Sequence, residues 1–210
     1  MPYPVDVSIE PSLTNRNRLT TAFRAILALP HLFLVGGIGV GFAWGRGRDS
    51  VTSLGGETGL LGAVAFLLAI VSWFTIVFTG NHGPGIRDFT RFYLRWRVRA
   101  LAYLMLLEDP YPPFGDAPYP ASIAVVDPIG PRDRVTVGLR LLLVIPHAIV
   151  LVFLMMAWWI TAIVAWVAIL VSGSYPRGFY QFGVNCLRWL LRVEAYMLLL
   201  VDEYPPFSFS

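Results

Sequence analysis

The chain carries one segment twice. Trp73 to Phe114 aligns with Trp166 to Phe207 at a constant offset of 93, with 18 of 42 positions identical. The retained residues include Gly80/Gly173, Arg95-Trp96/Arg188-Trp189, Arg99/Arg192, Ala102-Tyr103/Ala195-Tyr196, Asp109/Asp202 and Tyr111-Pro112-Pro113-Phe114/Tyr204-Pro205-Pro206-Phe207. Upstream the offset becomes 116, pairing Tyr3-Pro4 with Tyr119-Pro120, Arg18 with Arg134, Arg24 with Arg140, and Pro30-His31 with Pro146-His147. The first copy therefore holds about 23 extra residues near Gly37 to Gly59. A unit of roughly a hundred residues is too long for a solenoid repeat, so two similar halves, residues 1–116 and 117–210, are expected around a pseudo-twofold axis.

Composition indicates where such a unit resides. With 56% hydrophobic and 14% charged residues and a mean hydropathy of +0.64, the chain is too apolar for an ordinary soluble domain. An all-α integral membrane protein is expected. All 16 basic residues are Arg, whose planar forks suit carboxylates, phosphates and aromatic faces. The single Cys186 excludes an internal disulfide. The first residues show no basic segment followed by an apolar core, so insertion is expected to rest on helices of the mature chain.

Leu60 to Thr79 is an apolar run of about the 20 residues that a bilayer core requires. Leu19 to Trp44 is apolar apart from Arg24 and His31, with a kink expected at Pro30. The polar stretch Gly45 to Gly59 between them reads as a water-exposed connector closing a hairpin. In the second copy Val135 to Val171 is one apolar stretch, about 55 Å as a single helix and longer than a ~30 Å core. It is expected to turn back near Met155 to Trp159 or to kink strongly at Pro146, giving two spans per copy and four in all.

The segments after the hairpins differ. Phe89 to Leu107 mixes aromatics with Arg91, Arg95, Arg97 and Arg99, too many cations for the bilayer centre. Arg87, Arg91, Arg95 and Arg99 recur every fourth residue, which predicts an interfacial amphipathic helix with a cationic stripe. Phe179 to Val201, with Arg188 and Arg192, is expected to follow it. Arg95 and Arg188, each directly before a Trp, are expected to point inward, and Arg87, Arg91 and Arg97 outward. Two alternating segments, Val5 to Glu10 and Ile123 to Asp127, read as short strands able to pair outside the membrane, or as irregular linker. Hairpins would leave 14 arginines on the side of the termini and only Arg46 and Arg48 opposite, which places both termini in the cytoplasm.

These residues form a pattern. Arg-x5-Pro-His, a Trp before a small-residue Gly turn, Arg-Trp-x2-Arg-x3-Tyr and Asp-x-Tyr-Pro-Pro-Phe together resemble the bacterial membrane-protein family of unknown function numbered 4389. The resemblance runs through nearly the whole chain, twice. It implies a multi-pass protein of the bacterial cytoplasmic membrane and supplies no chemistry. The family's turn, Thr-Gly-x-Tyr-Pro, is approximated by Ser172 to Pro176, whereas the first copy reads Thr79-Gly80-Asn81-His82-Gly83-Pro84.

No catalytic constellation stands out. His31, His82 and His147 lack Cys or carboxylate neighbours at ligand spacing, so neither a metal nor a cofactor is expected. Gly36 to Gly41 lies inside an apolar run with no strand before it, and reads as close helix packing and not as a phosphate loop. Tyr-Pro-Pro-Phe reads as a helix stop with an interfacial aromatic, or as a polyproline docking site. Arg24, His31 and Asp109, with Arg140, His147 and Asp202, form two equivalent polar sets whose buried charges need partners. Arg87, Arg91, Arg95, Trp96, Arg97, Arg99, Arg188, Trp189 and Arg192 are the candidates for binding anionic lipid headgroups or a protein partner. A net charge of +3 argues against nucleic acid. The expected function is a non-catalytic accessory or scaffold subunit of a larger membrane complex. A small transporter or channel built from two parallel repeats is the alternative, and a lipid-acting membrane enzyme ranks below it.

Overall fold

The computed structural model describes residues 3–38, 50–128, 130 and 132–209, the side chains of 50–58 excepted. The expected connector from residue 45, with Arg46 and Arg48, lies largely outside the described residues. The first copy comprises β1 (Val5–Ile9), α1 (Arg18–Ala22), α2 (Arg24–Val35), α3 (Ser50–Thr79) and α4 (Pro84–Leu104). The second comprises β2 (Ala121–Val125), α5 (Arg134–Gly138), α6 (Arg140–Ser172) and α7 (Arg177–Met197). Local chemistry repeats with the sequence. Asn17 caps α1 by accepting from the Thr20 N–H at 3.1 Å, and Asp133 caps α5 by accepting from the Val135 N–H at 3.0 Å. The helix breaks fall at Phe23 and Leu139, ahead of the prolines, while Pro30 and Pro146 lie inside α2 and α6.

The second copy does not turn back. α6 is a single helix of 33 residues, ~50 Å along its axis. It contains no Gly, Asn or Asp to break it, so nothing near Met155 to Trp159 competes with helix continuation. In the first copy the same positions are split between the 12 residues of α2 and the 21 of Gly59–Thr79. Gly36 and Gly59 adopt φ of 77° and 69°, and a Cβ on Gly59 would lie 2.3 Å from the Gly36 nitrogen. The two helix ends therefore abut, and only glycine fits the junction. In sequence the insertion falls at this point, and α2 meets Gly59–Thr79 directly across it. Among the described residues two helices, Gly59–Thr79 and Arg140–Ser172, are long and apolar enough to cross a membrane, where four spans were expected. The hairpin partner of each long helix is α4 or α7.

The two halves interlock. β1 pairs antiparallel with β2, and Val7 faces Ile123, its own repeat equivalent, so the pseudo-twofold axis passes between them. The second strand begins at Ala121, two residues earlier than the alternation suggests. Trp73 Nε1 donates to the Val137 carbonyl at 2.9 Å, and Trp166 Nε1 donates to the Thr21 carbonyl at 2.9 Å. Gly80 and Gly173, left-handed at the helix ends, let Arg134 and Arg18 approach; a Cβ would meet those guanidinium groups at 3.0 and 3.5 Å. Each long helix thus ends where the other begins, and the two run antiparallel. The strands exchange as well, β1 packing on α7 and β2 on α4.

α4 and α7 form the core, which overturns the interfacial expectation. From Tyr93 to Tyr103 every residue except Arg95 is buried. The exposed large apolar side chains instead crowd the long helices, among them Phe33, Phe78 and Val171, and none lies on α4 or α7. The arginines do not drive these helices outward because acidic residues and carbonyls of the chain neutralise them.

Candidate functional site

Two equivalent clusters close the C-terminal ends of α4 and α7. Leu106 and Leu199 take the left-handed conformation usual for glycine, with φ of 64° and 63°. The Leu107 N–H then donates to the Ala102 carbonyl at 2.8 Å, and the Leu200 N–H to the Ala195 carbonyl at 3.0 Å. Arginines from the long helices collect the carbonyls left over. Arg24 donates to the Glu108 carbonyl at 2.6 Å and to Asp109 at 2.7 Å. Arg140 donates to the Tyr196 and Val201 carbonyls at 2.8 and 3.0 Å and to Asp202 at 3.1 Å. Their guanidinium groups lie 4.1 and 4.2 Å from the ring centroids of Tyr103 and Tyr196.

A second arginine reaches each aspartate. Arg16 meets Asp109 at 2.9 Å and Arg132 meets Asp202 at 2.7 Å. Arg132 also donates to the Leu199 carbonyl at 2.8 Å, and Arg16 to the Leu106 carbonyl. Burial lowers the pKa of Arg16, and Asp109 opposes the shift. Sequence reasoning passed over Arg16 and Arg132 as partners, although they too are 116 residues apart. Beside them lie the two glycine turns, with Tyr175 near Arg16 and His82 near Arg132.

The Pro-His, Trp and Tyr-Pro-Pro-Phe motifs meet in one place. Trp96 Nε1 donates to Nδ1 of His31 at 3.0 Å, and Trp189 Nε1 donates to Nδ1 of His147 at 3.1 Å. An accepting Nδ1 leaves the imidazole proton on Nε2. Phe114 stacks on His31 with centroids 4.5 Å apart, and Phe207 on His147 at 3.9 Å. Tyr111 and Tyr204 complete the cages. The proline turn folds onto its own histidine, so its role in the fold is an aromatic clamp.

The α4 arginines, and Arg188 and Arg192 of α7, have internal partners. Arg87 and Arg91 both pair with Asp127, Arg95 forks onto Asp116 at 3.0 and 2.9 Å, and Arg99 donates to the Gly115 carbonyl at 2.6 Å. Arg188 reaches Asn185 Oδ1 at 3.3 Å and the Val7 carbonyl, and Arg192 reaches the Val5 carbonyl and the Tyr3 ring. The inward–outward order expected from the repeat is reversed. Arg97 is 2% exposed and bound to Glu194, whereas the Arg95 side chain is 39% exposed. The repeat misleads here because Arg97 serves a feature that only the first copy has, the split helix. Among the described residues no group of three His, Cys, Asp or Glu side chains has metal-binding geometry.

Residues 58–115 and 134–208 match the family described as Domain of unknown function (DUF4389). The matches end at repeat-equivalent positions and together span more than half of the chain. This chain belongs to the DUF4389 family. The first DUF4389 segment begins beside Gly59, where the split helix resumes, and the second begins with α5, so the shorter match reflects the insertion. No curated protein and no solved structure matches the chain.

Proposed function

We propose that this DUF4389 protein is a non-catalytic membrane component, an accessory or scaffold subunit held in the bacterial cytoplasmic membrane by its two long helices. The supporting observation is the belt of exposed apolar side chains along α2, α3 and α6, opposite a charged and hydrogen-bonded layer of core helices and strands. A belt of this size on a protein surface marks contact with lipid or protein.

The pseudo-twofold axis favours a particular seating. If the antiparallel long helices crossed the bilayer, the axis would lie in the membrane mid-plane. The centre of the β1–β2 sheet lies on that axis, so exposed Asp6 and Ser8 would then sit at mid-depth. A charge and open strand edges in hydrocarbon are costly. With the axis along the membrane normal, the helices lie flat within one leaflet and the sheet faces water. The apolar exposure running from Leu19 to Phe78 and from Val135 to Val171 supports this seating. Both ends of the described chain then share the watery side, in keeping with the Tyr3 hydroxyl donating to the Glu203 carbonyl at 3.3 Å; a cytoplasmic location for that side follows the positive-inside rule.

The test uses cysteines at the far ends of the two helices, Asn81→Cys and Ser172→Cys. Native Cys186 is buried, with its thiol pushed up to about 12, and gives a silent background. In sealed vesicles an impermeant maleimide should label both positions from the same side. Labelling from opposite sides overturns the in-plane seating and favours a small transporter or channel, with its two repeats inverted and not parallel as expected.

A further inference from the structure

Resting on that membrane reading, we propose that the protein carries two phospholipid-binding grooves, one at each junction between the repeats. One cavity, of 270 Å³, is lined by Arg24, Ala162 and Trp166. The other, of 320 Å³, is lined by Arg140, Ala69 and Trp73, the repeat equivalents of the same three residues. Each groove runs where the end of one long helix meets the start of the other. Both lie within the apolar belt, so their mouths open toward acyl chains.

Two features specify the occupant. First, Arg24 and Arg140 are 2% and 1% exposed, and the Nε–H of each has no partner in the protein. A buried, unmatched donor in an apolar groove calls for an oxygen acceptor from a ligand. Second, Arg18 and Arg134 stand six residues before Arg24 and Arg140, are exposed, and have no ion-pair partner among the described residues. An acyl chain fills the apolar walls, its ester carbonyl accepts from Arg24 or Arg140, and the anionic phosphate lies against Arg18 or Arg134. The α4 arginines, already occupied by Asp127, Asp116 and Glu194, are not part of this site.

Native mass spectrometry of the full chain in detergent, titrated with phosphatidylglycerol or phosphatidylcholine, tests this. Binding of phosphatidylglycerol should plateau at two per chain. Ala69→Phe and Ala162→Phe should each leave one, and the double variant none. Arg18→Gln with Arg134→Gln should keep both lipids but cut the preference for phosphatidylglycerol about fivefold. Unchanged occupancy in the folded double Phe variant overturns the grooves, and so does a tightly held free fatty acid in place of phospholipid. If the Phe variants do not fold, the wild-type titration decides, and a curve with no plateau at two overturns the proposal. Flotation of the wild type with phosphatidylglycerol vesicles separates the two readings. A protein that floats yet lacks the two sites refutes only the grooves, and one that does not float refutes the membrane reading as well.

Discussion

Arg97 donates from Nε to both carboxylate oxygens of Glu194, at 2.9 and 2.7 Å, and its other nitrogens take the carbonyls of Val35 and Gly37. Those carbonyls exist as unpaired acceptors because the first copy's long helix is interrupted after Val35. α6 continues through the equivalent position and exposes no such carbonyls; there Leu190 replaces the arginine and Leu101 the glutamate. Arg97 caps the cut end of the helix, and Glu194 from the other copy neutralises the cap.

Arg97→Leu should therefore destabilise the protein by ~3 to 5 kcal/mol, because Glu194 keeps a buried charge and the helix end loses its cap. Arg95→Ala, which removes an exposed pair with Asp116, should cost ~1 kcal/mol or less. Combining Arg97→Leu with Glu194→Leu should recover part of the loss, since it places at this position the leucines found at the repeat-equivalent buried positions Leu190 and Leu101. Denaturation in detergent measures all three, and strict additivity of the two changes would refute the coupling.

Asp202 meets Arg132 and Arg140, while neighbouring Glu203 is exposed. Asp202→Asn should lower stability by ~3 kcal/mol or more and Glu203→Gln by less than ~1. Asp109→Asn should match Asp202→Asn, since Arg16 and Arg24 hold it in the same way. Equal thermal shifts for Asp202→Asn and Glu203→Gln would contradict the paired-arginine cluster.

Trp96→Phe leaves Nδ1 of buried His31 without its donor, a loss of ~1 to 3 kcal/mol. Trp189→Phe should do the same at His147. Thermal melts of the two variants should agree within the scatter, and a strong difference would show that the two cages are not equivalent.

The pH dependence should contain two opposed slopes. Burial raises Glu108 from 4.5 to about 7, with Glu10 and Asp109 adding to the shift and Arg16 and Arg24 opposing it. The folded chain keeps that proton where the unfolded chain has lost it, so stability falls as pH rises through this window. Burial lowers His82 from 6.5 to about 4, with Arg132 and Arg87 adding to the shift and Asp202 opposing it. The unfolded chain takes up a proton that the folded one refuses, so stability falls as pH drops from 6.5 towards 4. Between 4.5 and 6.5 the two terms offset each other. Glu108→Gln should make the melting temperature fall more steeply on acidification, and His82→Gln should make it rise. Parallel pH profiles for the two variants would refute both assignments.

The sequence by itself determined the duplication and the apolar length of each copy, and it set apart Arg24, Asp109, Arg140 and Asp202 as repeated charges in need of partners, while leaving the alternating segments open between strands and linker. These follow from the repeat and from the cost of an unmatched buried charge. Three things needed tertiary structure. A 37-residue apolar run carries no mark of whether it turns back, because Leu, Ile, Val and Trp suit one long helix as well as two short ones. The arginine stripe of α4 read as a surface because its neutralising partners, Asp127, Asp116 and Glu194, lie far along the chain and only folding brings them near. The antiparallel run of the two long helices rests on contacts between copies, such as Trp73 with Val137 and Trp166 with Thr21, and no local pattern within either copy encodes where the other will lie.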